Sequence, residues 1–311
     1  MDMSIIASAR LRERPFEYAA NGVTVVLKDG FPAGTTGKVQ GDNSGKIYTA
    51  VNETQLRAII NEGDANTDLT GFCTTLVTNM EGTQPDLEVI PFINVDSNQN
   101  ISSWDVSNVT DMSFMFFNAN SFNQNINNWD VSNVTNMSFM FYDTNSFNQP
   151  LNNWDVSNVT DMNTMFYATT LFNQPLDNWD VSSVSNMDAM FSETSSFNQP
   201  LNNWDVSSVT SMGAMFFEAS SFNQPLNNWD VSSVTSMGAM FSETSSFNQP
   251  LDNWDVSSVT SMGAMFEDAE SFNRDLSSWC VTNIASQPIN FDTGANAWVL
   301  PNSRPIWGTC P

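Results

Sequence analysis

Eight tryptophans, Trp104, Trp129, Trp154, Trp179, Trp204, Trp229, Trp254 and Trp279, follow one another at intervals of 25 residues with no insertion. A fixed period of this length implies stacked supersecondary units, each burying its apolar face against the next. The unit reads most clearly as FNQPLNNWDVSSVTSMGAMFSETSS, residues 222–246. It offers about eight large apolar side chains worth ~1.5–3 kcal/mol each on burial, against an ordering cost of ~1.5 kcal/mol per residue. One unit therefore cannot stand alone.

Within the unit, Leu226, Trp229 and Val231 have the L-x-x-L-x-L spacing of a leucine-rich repeat entering its strand. This predicts that they face inward, with Asn228, Asp230 and Ser232 on the exposed face. Val234, Met237, Met240 and Phe241 are spaced three, three and one, which predicts a short helical turn capped by Thr235 or Ser233. Phe222 to Pro225 turn the chain back, and Asn223 and its equivalents are expected to form an internal amide ladder. The expected fold is an α/β repeat solenoid, a leucine-rich-repeat-like right-handed coil. Short parallel strands near Trp129, Trp154, Trp179, Trp204, Trp229 and Trp254 are each followed by a short helical turn, with caps at both ends.

Residues 1–72 read as an N-terminal arm and small βα cap, 73–279 as the solenoid and 280–311 as the C-terminal cap. Val23 to Lys28 and Lys46 to Val51 predict strands. Asn52 with Gln55 resembles a capping box opening a helix whose apolar face carries Leu56, Ile59 and Ile60, with Gly63 as its stop. Arg10, Arg12 and Arg14 fall in the arm, which is expected to stay mobile. Val77 to Val109 spans 32 residues instead of 25, which places an insertion within EGTQPDLEVIPF. Trp298 and Trp307 are expected to cover the last coil.

Charge is unevenly distributed. Of nine basic residues seven precede position 58, while the net charge is −25. Nucleic-acid phosphate and anionic membrane surfaces need Lys and Arg clusters, so neither is an expected partner of the repeat body. No apolar run approaches the ~18 residues of a membrane span, and no signal peptide is visible. The chain contains no histidine, which excludes Ser-His-Asp and Cys-His catalysis. The repeated carboxylates form a row instead of a unique cleft, so no catalytic residue, cofactor site or metal site is assigned. The methionine pairs, such as Met237 and Met240, and the tryptophans are expected in the core.

Cys280 and Cys310 bracket the last segment. A disulfide between them would close a loop of about 30 residues and indicate an oxidising compartment; the alternative is two thiols in a reduced protein. The disulfide is the expectation, because Cys280 takes the place of the repeat aspartate.

The unit F-N-Q-P-L-x-N-W-D-V-S-x-V-T-x-M-x-x-M-F resembles the BspA-like leucine-rich repeat surface proteins, whose repeat also occurs in mycoplasma lipoprotein-like proteins. The resemblance covers roughly residues 73–311, including the W-C-V step at Trp279 to Val281 and the closing W-G-T-C-P. It implies a secreted or cell-surface protein associated with adhesion, and an N-terminus that is incomplete. It carries over no catalytic residue. The family's N-terminal caps tend to hold a cysteine near the strand at Val23 to Lys28, which this chain lacks; the resemblance therefore implies that Cys73 is without its partner, a free and buried thiol.

The function expected is therefore non-enzymatic: a monomer that binds a protein or glycan on another surface. The candidate ligand-facing row is Asp105, Asp130, Asp155, Asp180, Asp205, Asp230 and Asp255. The alternative is a spacer or stalk whose acidic row takes up calcium and which has no specific ligand. Ice binding through the Thr235 column is weaker, because no flat two-threonine strand is expected there.

Overall fold

A computed structural model describes residues 14–62, 67–82 and 97–311. The N-terminal unit contains β1 (Phe16–Tyr18), β2 (Val25–Leu27), β3 (Thr36–Gly37), β4 (Tyr48–Asn52), α1 (Glu53–Glu62) and β5 (Phe72–Leu76). β1 pairs antiparallel with β2, and a second sheet has the order β3-β4-β5 with β4 and β5 parallel. Helix α1 starts where the capping box predicts: Gln55 N donates to Asn52 Oδ1 (3.0 Å) and Asn52 N to Gln55 Oε1 (3.1 Å). Leu56 and Ile60 turn into the core. Arg14 is not part of a free arm, because its guanidinium donates to the Val39 carbonyl at 3.4 Å. Arg10, Arg12, the Gly63 stop and most of the expected insertion lie outside the described residues.

Successive units bond directly to one another, across 32 residues from Asn79 to Asp111 and across 25 from Asp111 onward. Three columns carry this. From Trp129 to Trp279 each repeat tryptophan's indole donates to the carbonyl of a Leu or Ile 28 residues earlier, as Trp229 Nε1 does to Leu201 O at 2.9 Å, while Trp104 Nε1 reaches Leu69 O across the longer first step. Asn223 Oδ1 accepts from Asn248 N and Gln249 Nε2, both at 3.0 Å, so the amide ladder is present. Thr235 N and Oγ1 both donate to Thr210 O, at 2.9 and 3.1 Å. Inside, the rings stack in register: Trp229 on Trp254 at 6.4 Å and 2°, Phe216 on Phe241 at 5.8 Å. Leu226, Trp229, Val231, Val234, Met237, Met240 and Phe241 are all buried, as their spacing predicts.

The local backbone differs from expectation in two places. No strand forms near Trp129, Trp154, Trp179, Trp204, Trp229 or Trp254. Trp229 N instead closes a turn onto Leu226 O (3.0 Å) and Val234 N one onto Val231 O (2.9 Å). Asp230 Oδ1 stabilises the bend by accepting from Ser232 N and Oγ, a local bond that competes with a sheet ladder. Parallel pairing survives at a single residue per coil, Ser236 with Ser211 and Ser261.

The expected helical turn at Met237 to Phe241 is likewise absent. Alternate amides turn to the next coil, Met237 N to Ser261 O, Ala239 N to Gly263 O and Phe241 N to Met265 O at 2.8–2.9 Å. The amides between them close turns within the coil, Met240 N to Met237 O and Ser242 N to Ala239 O. A helix would spend those amides on itself and leave none for the neighbour. Alternation requires left-handed residues in the turns, and Ala239 (φ 54°) and Glu243 (φ 56°) supply them.

The column ends where its geometry changes. Trp298 meets Phe266 and Phe272 edge-on, at 73° and 84°, and Arg304 lies over its indole at 4.1 Å while pairing with Asp292 at 2.9 Å. Val299 N and Leu300 N both donate to Asn273 Oδ1, which closes the amide ladder. Cys280 is bonded to Cys310. Cys73 is free and buried, its thiol within 3.1 Å of the Val25 carbonyl, and burial pushes its pKa up. Cys280→Ser is expected to lower stability by roughly 3 to 4 kcal/mol, the entropy of the closed loop, measured as the difference in urea midpoint between oxidised wild type and variant.

Candidate functional site

The predicted aspartate row lies beside the tryptophan turns. Asp105 is buried against the N-terminal unit, where Thr75 Oγ1 donates to its Oδ2 at 2.5 Å, while Asp130, Asp155, Asp180, Asp205, Asp230 and Asp255 are exposed. Each exposed carboxylate turns toward its own coil: Asp155 Oδ1 accepts from Ser157 N (3.1 Å) and Oγ (2.6 Å), and Asp205 does the same with Ser207. These serine bonds, the hydroxyl first and the backbone amide second, hold the pKa of Asp155, Asp205 and Asp255 below the ordinary carboxylate value. Among the described residues no group of three or more His, Cys, Asp or Glu side chains stands close enough to hold a metal ion.

Asp155, Asp205 and Asp255 therefore have a defined pH signature. A carboxylate with a depressed folded pKa contributes stability above its unfolded value, 3.8 for aspartate, and loses it as pH falls through the folded value. Melting temperature is expected to fall as pH drops below about 4, and to show no response to calcium. Unchanged melting down to pH 3 would mean that the serine bonds do not form.

A second surface, absent from the sequence expectations, lies on the Met237-to-Phe241 side of the coils. Phe114 stacks on Phe139 at 4.6 Å and 7°, Phe117 on Tyr142 at 4.6 Å, and Tyr142 on Tyr167 at 4.7 Å. Phe114 also tilts against Phe117, and Phe139 against Tyr142, so five half-buried rings form one connected strip. At corresponding places the other coils carry Thr164, Ala189, Ala214 and Ala239 in the first column, and Ser192, Phe217 and Ser242 in the second. The signal was visible in the sequence as a departure from the repeat.

Beyond the strip comes an acidic column. Tyr167 Oη donates to the Glu193 carboxylate, which raises the phenol's pKa. Glu193, Glu218 and Glu243 line a shallow cavity of about 360 Å³ with Thr170, Ser195 and Ser220. Burial, then the charges of Glu243 and Glu193, push Glu218 upward. The three glutamates have positive φ of 59°, 53° and 56°, so the turn geometry that sends their amides to the next coil also sets the carboxylates in line.

A stacked body built from one 25-residue unit defines a tandem-repeat protein. The chain belongs to the DUF285 family, described as Mycoplasma protein of unknown function, which matches it over residues 54–168, 86–204 and 186–298. No curated protein and no solved structure matches the chain. No helix among the described residues is long and apolar enough to cross a membrane.

Proposed function

We propose that the chain is a non-enzymatic, BspA-like repeat protein of the cell surface or secreted space. In this reading it is a capped solenoid, acting as a monomer, that binds another protein through the aromatic strip and the adjoining acidic column. The one-residue parallel pairing between successive units supports a right-handed coil, the hand that crossover connections between parallel strands take. The reading is non-enzymatic because the acids recur once per coil, which repeats a surface instead of shaping one cleft.

The single observation that carries the binding reading is the strip itself. Five connected rings stay half-exposed in two columns where later coils also carry alanine or serine, with Phe217 standing apart from them. Its partner should present apolar groups with Lys or Arg, because the rings offer faces to cations and the glutamates repel one another until a positive charge arrives.

The test is a triple variant, Phe139→Ala, Tyr142→Ser and Tyr167→Ser, compared with wild type on an array of extracellular proteins. Binding is expected to fall at least about tenfold, a loss of ~1.4 kcal/mol or more, at an unchanged melting temperature. Binding that is indifferent to the triple variant would contradict the strip.

A further inference from the structure

Where the N-terminal unit meets the first two coils there is a continuous polar groove, two cavities of about 390 and 360 Å³ that share Val23, Asn100 and Ser102. Its floor is fixed from both sides. Asn21 Nδ2 donates to Asn128 O (3.1 Å), Asn128 Nδ2 donates to Ser102 O (2.8 Å), and Val25 N donates to Ser103 O (2.9 Å).

The groove is where the repeat departs from its own pattern. Asn100 and Asn125 stand at the place held by Pro150, Pro175, Pro200, Pro225 and Pro250 in later coils. Each uses its Oδ1 to accept the amide two residues on, Ser102 N and Asn127 N, both at 3.0 Å, which fixes the orientation of the carboxamide. Asp275 makes the same turn bond to Ser277 N, so the turn alone does not call for an amide. What asparagine adds is an uncharged Nδ2 donor.

Of the lining groups, Nδ2 of Asn100, Asn125 and Asn153 are donors, and Oδ1 of Asn128 and Asn153 and Oε1 of Gln124 are acceptors. None of these atoms has a protein partner among the described residues. Tyr18, 38% exposed, and Tyr48 add rings at the far cavity, which Lys46 also lines; among the described residues no carboxylate lines either cavity, and the near one, with Gln124, Asn125 and Asn153, has no charged side chain at all.

In the near cavity, unpaired amide donors and acceptors in equal number and no charged side chain, with the Tyr18 ring next door, match a ligand whose hydroxyls each give and take a hydrogen bond and whose ring has an apolar face. We infer that this groove binds a neutral oligosaccharide. The site is additional to the protein-binding strip and shares no residue with it, so either can fail without the other.

The test titrates wild type with the hexamers of glucose (maltohexaose and cellohexaose), of mannose and of N-acetylglucosamine, and also with hexagalacturonate and a neutral Gly-Ser decapeptide, by calorimetry and by NMR of the side-chain amides. At least one neutral hexamer is expected to bind with a Kd below about 1 mM, shifting the Asn100 and Asn125 amide signals, while hexagalacturonate does not. Asn125→Pro, which restores the residue of the later coils, and Asn125→Ala should each weaken that binding at least about tenfold with melting unchanged. Binding by none of the neutral hexamers, preferential binding of the decapeptide, or full binding by both variants would overturn the inference. The strip variant Phe139→Ala, Tyr142→Ser, Tyr167→Ser should bind the sugar as wild type does.

Discussion

Trp204→Ala is expected to cost about 3 to 5 kcal/mol in packing, with a further ~1 to 3 kcal/mol for the Leu176 carbonyl left without its partner. The indole is 3% exposed, stacks on Trp179 at 6.4 Å, approaches Phe191 at 6.2 Å, and donates from Nε1 to Leu176 O at 2.9 Å. It therefore serves two coils, and its loss opens a cavity on a boundary that the rest of the column depends on. Trp204→Phe separates the two terms, since phenylalanine keeps an aromatic ring and loses the donor. Urea unfolding followed by tryptophan fluorescence and by circular dichroism should show the alanine variant losing clearly more than the phenylalanine variant. A loss below about 1 kcal/mol for alanine is what an exposed indole would give, and would contradict the buried column.

The inward-facing set was legible in the sequence because burial depends on spacing. Leu226, Trp229, Val231, Val234, Met237, Met240 and Phe241 are apolar in a row of polar neighbours, and the structure buries each of them. The capping box at Asn52 and Gln55 and the amide ladder at Asn223 were legible for a different reason: their chemistry is local or repeats at the period. The backbone path between these residues was not. A strand and a pair of turns can both carry Trp229 and Val231 inward, and the choice rests on whether Asp230 accepts from Ser232 or leaves that amide to a neighbour. Nor does the sequence mark the left-handed residues, because Ala239 and Glu243 occupy them instead of glycine.

The candidate sites divide in the same way. The aspartate row could be read from its period, but its carboxylates prove to be satisfied within each coil. The aromatic strip and the groove at Asn100 and Asn125 are departures from the period, and they become surfaces only when the coils are laid side by side. Glu193, Glu218 and Glu243 look like unremarkable surface acids until the positive φ of each places them in one column.

From Asp111 onward the coils are equivalent units bonded to partners 25 residues away. Removing residues 198–222 joins Phe197 to Asn223 and keeps every column in register, so the shortened chain should fold, with the same near-ultraviolet tryptophan spectrum per residue and a cooperative melt. Removing 198–210 puts every later ladder out of phase with the earlier one, and Asn, Trp and Thr columns would all lose their partners at that boundary. That chain should lose cooperative melting altogether. The decisive measurement is the pair of thermal melts followed at the tryptophan band: a cooperative transition for the first deletion and none for the second supports the account, and identical behaviour of the two would contradict it.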